Sequence, residues 1–92
     1  MNILILGAGQ VGSSTATQLA KEEDNEVTVV DIDPEKLTKL GSRVDLQTIE
    51  GNAAYPETLK QAGAETADML IAVTSSDEVN MIACQVASTL FD

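Results

Sequence analysis

Four consecutive residues constrain this chain more than any others: Ile3-Leu4-Ile5-Leu6, an unbroken apolar run ended by Gly7. Successive side chains on a strand point to opposite faces, so such a run predicts a strand buried on both. That requires a sheet with helices packed on each side. The rest of the sequence supplies the pieces. Val11 to about Asp24 carries Val11, Thr15, Ala16, Leu19 and Ala20 at helical spacing, and Val27-Thr28-Val29-Val30 is a β-branched second strand. Asp33-Pro34 reads as an N-cap followed by proline in the first turn of a helix that carries Leu37 and Leu40 and ends at Gly41.

Leu46 to Glu50 is a weaker third strand, closed by Gly51-Asn52. Pro56 opens a short helix with Leu59 and Ala62 on its inner side, stopped by Gly63. Met69 to Val73 is the fourth strand. Ser75 and Glu78 form a capping box for a last helix with Val79, Ile82, Ala83, Val86, Ala87 and Leu90 on one face. Four β-α pairs predict an α/β fold: a Rossmann-like, doubly wound parallel sheet in one domain, with right-handed crossovers.

Charge narrows the partners. Fifteen acidic residues against five basic ones give a net charge of -10, and Lys21, Lys36, Lys39, Arg43 and Lys60 are scattered. Without a basic patch, nucleic acid and anionic membrane surfaces are excluded as main partners. No apolar run approaches the roughly 18–20 residues that cross a bilayer, so direct membrane insertion is not expected. Met1 to Leu6 has no basic region, unlike a signal peptide. One Cys and no His leave no internal disulfide framework and no zinc cluster of the usual kind. A soluble cytosolic setting is the expectation.

The chemistry-bearing motif is Gly7-Ala8-Gly9-Gln10-Val11-Gly12, a G-x-G-x-x-G between a buried strand and a helix start. Gly7 allows the tight turn, Gly9 the close approach of a pyrophosphate, and Gly12, with the small Ala16, close helix–strand packing. Backbone N–H groups and the helix end hold phosphate, so no nearby cation is needed. Asp31 ends the second strand, 19 residues after Gly12. Its carboxylate there accepts from the adenosine ribose hydroxyls and repels a 2'-phosphate, which favours NAD over NADP. The plainer reading of Asp31 is a strand-end residue capping the next turn. Asn52 and Ala53 follow the third strand and are candidates to border the adenine. Thr74 follows the fourth, facing Gly7, as a candidate for the phosphates or distal nucleoside. Ser75 is as well explained by helix capping as by ligand contact.

An ordinary general base is missing, and Tyr55 and Lys60 lack the Tyr-x-x-x-Lys spacing of short-chain dehydrogenases. No G-x-x-x-x-G-K-[ST] loop is present. Cys84, between apolar helix neighbours, reads as buried packing. These residues suit binding without reaction, so no catalytic residue and no metal site is assigned.

Two longer blocks add a resemblance. Ile3 to Gly12 and Val29-Val30-Asp31-Ile32-Asp33 resemble the start of TrkA-type regulators of Trk potassium uptake. Gly51-Asn52-Ala53, Ala62-Gly63-Ala64, Ala67 to Glu78 and Asn80 to Ala87 extend the similarity along essentially the whole chain. The resemblance implies that residues 1–92 are the N-terminal part of an RCK (KTN) domain, with strand order 3-2-1-4 and without the usual last strands. It implies a cytosolic regulatory subunit, peripheral to the inner face of the cell membrane, that binds NAD(H), or ATP or ADP, and gates a membrane potassium-translocating subunit. Gly7, Gly9, Gln10 and Val11 then lie at the pyrophosphate, Asp31 at the ribose, Asn52 and Ala53 beside the adenine, and Thr74 near the phosphates or second ribose. Asn52 stands where many relatives carry Asp. Gln10 stands where members specialised for ATP carry Arg, which tilts the reading toward NAD.

An open fourth-strand edge and a second stripe of Met81, Cys84 and Phe91 on the last helix predict a homo-oligomer. The competing reading is the cofactor-binding half of an NAD-dependent oxidoreductase. A methyltransferase-like domain is disfavoured by the full glycine spacing.

Overall fold

A computed structural model of the chain describes residues 1–91, apart from the side chains of Asp77, Thr89, Leu90 and Phe91. Four strands, β1 (Asn2–Leu6), β2 (Glu26–Asp31), β3 (Gln47–Glu50) and β4 (Met69–Ala72), form one parallel sheet in the order β3-β2-β1-β4. The register sets Ile5 opposite Val29 and Ile71, and Asp31 opposite Glu50. This is the doubly wound α/β arrangement expected, with β1 paired on both sides, by β2 and by β4. Its Ile3, Leu4, Ile5 and Leu6 are all buried.

The alternation of β1 builds two cores. Ile3 and Ile5 join Val27, Val29, Leu37, Leu40 and Ala16 on one face, under helices α1 (Gln10–Ala20) and α2 (Pro34–Gly41). Leu4 and Leu6 join Val30, Leu59, Ala62 and Ala83 on the other, under α3 (Pro56–Gln61) and α4 (Asp77–Phe91). Local chemistry sets the ends of these helices. The Asp33 side chain caps α2 by accepting from the Glu35 N–H at 3.0 Å, with Pro34 in its first turn. Gly63, at φ +90°, takes the left-handed turn after α3 into a 3-10 turn over Ala64–Thr66.

Several expectations need correction. Helix α1 stops at Ala20 and does not reach Asp24. Glu22, Glu23 and Asp24 would sit at the negative end of the helix dipole, and Asn25 Nδ2 instead donates to the Leu19 carbonyl at 3.0 Å. Val11, grouped with the inward residues of that helix, is 63% exposed. The cap of α4 is Ser76, whose Oγ accepts from the Val79 N–H at 3.2 Å, so the Ser75–Glu78 capping box is not the device used.

Strand β3 begins at Gln47, while Leu46 still packs against the α1/α2 core. On α4 the inward face is narrower than predicted. Ala83 is buried and Val79, Val86 and Ala87 pack beside it, but Ile82 is 46% exposed. Cys84 is exposed, not buried packing, because it lies a helical step past Ala83 on a helix over an edge strand. Met81, from the second stripe, is exposed as well. The side chains of Leu90 and Phe91 fall outside the described set.

Leu4 reaches the α3/α4 core from the central strand and is fully buried. Leu4→Ala is expected to cost about 2–5 kcal/mol, read as a drop in the urea-unfolding midpoint at unchanged slope. An unchanged midpoint contradicts this account of the core.

Candidate functional site

Strand order reverses at β1, where β2 and β4 leave to opposite sides, and their C-terminal ends part to form a cleft. The cleft measures about 510 Å³, within the range of small-molecule sites. All the expected site residues line it except Gly12: Gly7, Gly9, Gln10, Val11, Asp31, Asn52, Ala53 and Thr74. A second cavity, about 410 Å³, lies at the opposite end of the strands beside Glu26, Asp45 and Gln47. It is lined by the Gly63 turn, and no N-terminus of a long helix is among its lining residues.

The three motif glycines stand in different surroundings. Gly7 has φ +117°, and a Cβ there would meet the Val73 carbonyl oxygen at 2.6 Å and the Thr74 nitrogen at 2.8 Å. A Cβ on Gly12 would run into the Gly7 carbonyl oxygen, so Gly12 stands behind the cleft wall and holds helix to turn. Gly9 is different. Its backbone, φ −71° and ψ −166°, suits any residue, and a Cβ there would meet nothing within 4 Å. The protein itself does not need glycine at this position. The space beside Gly9 opens on the cleft.

Gly9 is also the N-cap of α1, with no side-chain cap and no acid in the first turn. The first turn closes when the Ser13 N–H donates to the Gly9 carbonyl at 2.8 Å. The N–H groups of Gly9, Gln10, Val11 and Gly12 therefore have no hydrogen-bond acceptor among the described residues. Together with the helix dipole they form a donor set suited to an anion.

Asp31 sits across from these donors and is tied to the turn that carries them. Its Oδ2 accepts from the Ala8 N–H at 2.7 Å and its Oδ1 from the Asp33 N–H at 2.8 Å. Strand-end capping and site geometry are thus combined in one side chain. An ionised carboxylate has about four acceptor positions, so each oxygen keeps one for a further donor, enough for two vicinal hydroxyls. Asn52 Oδ1 accepts from the Ala54 N–H at 2.8 Å in an Asx turn. An Asp would make the same turn, but Asn brings an amide donor to the rim and no charge.

Some lining residues were not anticipated. Ile32, 69% exposed, presents an apolar surface next to Asp31, and Lys36 of α2 is the only cation among the lining residues. A strand-end reading does not reach Lys36, which comes to the cleft through the turn at Pro34. Asn80 of α4, which no local motif singles out, holds Thr74 at three points with its carboxamide.

Gly9→Ala and Gly12→Ala separate the two kinds of glycine. Gly12→Ala is expected to lower stability by about 1–3 kcal/mol or more through overpacking. Gly9→Ala is expected to leave the melting temperature within a degree or two, because nothing is displaced. Equal destabilisation by both, in thermal melts, contradicts the division.

The TrkA-N domain family matches residues 3–92. A Trk system potassium uptake protein TrkA from Halomonas elongata is 62% identical over 91 residues, covering 99% of this chain and 20% of that protein. The TrkA of Vibrio alginolyticus is 51% identical over 92 residues, again across all of this chain and 20% of the relative. The chain thus spans about one fifth of the length of these relatives. Among solved structures, the Kef C-terminal domain of Shewanella denitrificans in an AMP-bound form superposes with a TM-score of 0.82 at 20% identity, covering 99% of this chain and 54% of that one. ChuY, an anaerobilin reductase of Escherichia coli O157:H7, gives 0.67 at 23% identity, covering 97% and 46%. At such identities these two establish the Rossmann-like fold alone. By the family match and the identities to its relatives, the chain belongs to the TrkA-N domain family.

Proposed function

We propose that this chain is the nucleotide-binding unit of a cytosolic regulator of Trk-type potassium uptake, and that its ligand is NAD(H), with ATP or ADP as the competing adenine nucleotides. The observation that carries the proposal is the run of N–H groups from Gly9 to Val11, which have no acceptor among the described residues, beside a glycine whose Cβ position is open onto the cleft. Such a cradle fits a pyrophosphate. With the phosphates there, the adenosine ribose falls to the two spare acceptor positions of Asp31, and the adenine to Ala53, Ile32 and the Asn52 amide. Two carboxylates, Asp31 and Asp33, face one Lys36 at this end, which disfavours a 2'-phosphate. The AMP named in the Kef structure is an adenine nucleotide as well.

In this reading residues 1–92 are the N-terminal part of an RCK domain. The chain is regulatory and not an enzyme, and its partner is the membrane-embedded potassium-translocating subunit. Among the described residues no helix is long and apolar enough to cross a membrane; in this proposal the partner carries the pathway for the ion. Regulation requires that nucleotide bind two conformations of the assembly with different affinity. Self-association through the β4 edge and the exposed Met81, Ile82 and Cys84 of α4 supplies the assembly in this proposal.

Calorimetric titration with NADH, NAD, ATP and ADP tests the site. Asp31→Ala is expected to weaken NADH binding at least tenfold, since hydrogen bonds to a charged group contribute about 1.5–3 kcal/mol, and NADPH is expected to bind more weakly than NADH. Binding unaffected by Asp31→Ala contradicts the assignment. Sedimentation velocity is expected to show dimers or larger species at high concentration; a clean monomer there contradicts the interface. An oxidoreductase half is the second reading, supported by the fold shared with a reductase. It requires NADH turnover by the full-length protein, where the regulator requires binding without turnover.

A further inference from the structure

Resting on the nucleotide reading, we propose that Asn80 is the positioning residue for the β4 side of the cleft, and that Thr74 is its latch and not itself a phosphate donor. The carboxamide of Asn80 grips one residue from both sides. Its Oδ1 accepts from the Thr74 N–H at 2.9 Å and from the Thr74 hydroxyl at 2.6 Å, and its Nδ2 donates to the Thr74 carbonyl at 3.2 Å. This pattern orients the amide, because a flipped group would set an NH2 against an N–H.

The hydroxyl of Thr74 is used up in the process. Its one proton goes to Asn80 Oδ1, with the Ser76 carbonyl oxygen farther away at 3.0 Å, and its oxygen accepts from the Ser76 N–H at 3.2 Å. A phosphate oxygen needs a donor, and a hydroxyl has only one proton to give. Thr74 therefore shapes the loop, and the residue the loop offers to ligand is the exposed Ser75, which lines the cleft.

Placement in the sheet makes the role specific. Asp31 ends β2 and Thr74 follows β4, with β1 and the glycine turn between them, so the two lie about 10 Å apart across two strand spacings. Adenosine held at Asp31, with its phosphate at the glycine turn, does not extend to the Thr74 loop. The second half of a dinucleotide does. The latch thus acts on a dinucleotide and leaves a mononucleotide untouched. It also ties this half of the cleft to α4, whose exposed Met81 and Ile82 directly follow Asn80.

Calorimetry on the full-length protein with NADH and with AMP tests this, using Asn80→Ala, Thr74→Val, Thr74→Ser and the double variant Asn80→Ala/Thr74→Val. Asn80→Ala is expected to weaken NADH roughly tenfold while AMP stays within twofold. Thr74→Ser, which keeps the hydroxyl, stays near wild type. Thr74→Val weakens NADH, and the double variant is no worse than Asn80→Ala alone, because both remove one latch. Equal losses for both ligands, no loss of NADH binding, or additive losses in the double variant overturn the proposal while leaving the nucleotide site intact. Should Asn80→Ala fail to fold, the NADH-to-AMP comparison in Thr74→Val decides alone. If the wild type binds neither nucleotide, the nucleotide reading fails and this inference with it.

Discussion

One carboxylate organises the functional end of this molecule. Asp31 accepts from the Ala8 N–H with one oxygen and from the Asp33 N–H with the other, fastening the turn after β1 to the turn after β2. Both turns would otherwise end in unsatisfied backbone donors at the rim of the sheet. With Ala8 fixed, the chain enters α1 at a set angle and its first-turn N–H groups converge on one space. The same carboxylate keeps acceptor capacity for ligand. In a chain with a net charge of -10, this one negative charge is thus a structural tie, and the proposed function gives it a second role in recognition.

The glycine motif divides in the same way. Gly7 and Gly12 are demanded by the protein's own atoms, as the Val73 carbonyl and the Gly7 carbonyl stand where their Cβ atoms would go. Gly9 is demanded by nothing in the protein. A residue kept small against empty space is most simply explained by a ligand filling that space, and the neighbouring donors call for an anion. In the proposed function an acidic domain needs no lysine or arginine at the glycine turn to hold an anion, because the donors there belong to the main chain.

Much of this was legible in the sequence where one residue type had one physical reason to be there. The unbroken run Ile3 to Leu6 forms a strand buried on both faces, the Asp33-Pro34 pair starts a helix, and the glycine spacing after β1 brings Gly7, Gly9 and Asp31 to one cleft. Readings that needed knowledge of neighbours went astray. Apolar periodicity placed Ile82 and Cys84 inward or packed, but α4 lies over an edge strand and covers a narrower face. The acids from Glu22 to Asp24 were carried into α1 by pattern, though the helix dipole ends it at Ala20. Asn80 carries no local signal, because its hydrogen bonds are to a residue six positions back in a preceding loop. Its role is set by the loop's fold, which local propensity does not describe.

The central claim is that the N–H groups of Gly9, Gln10 and Val11 hold the phosphates of an adenine nucleotide. Amide proton and nitrogen chemical shifts during titration with NADH test it at the atoms concerned. The account predicts that these three amides show the largest shifts, in proportion to saturation, while Asn2, Glu26 and Gln47 at the far end of the sheet stay in place. Saturable shifts confined to that far end, or none at the glycine turn, would contradict it.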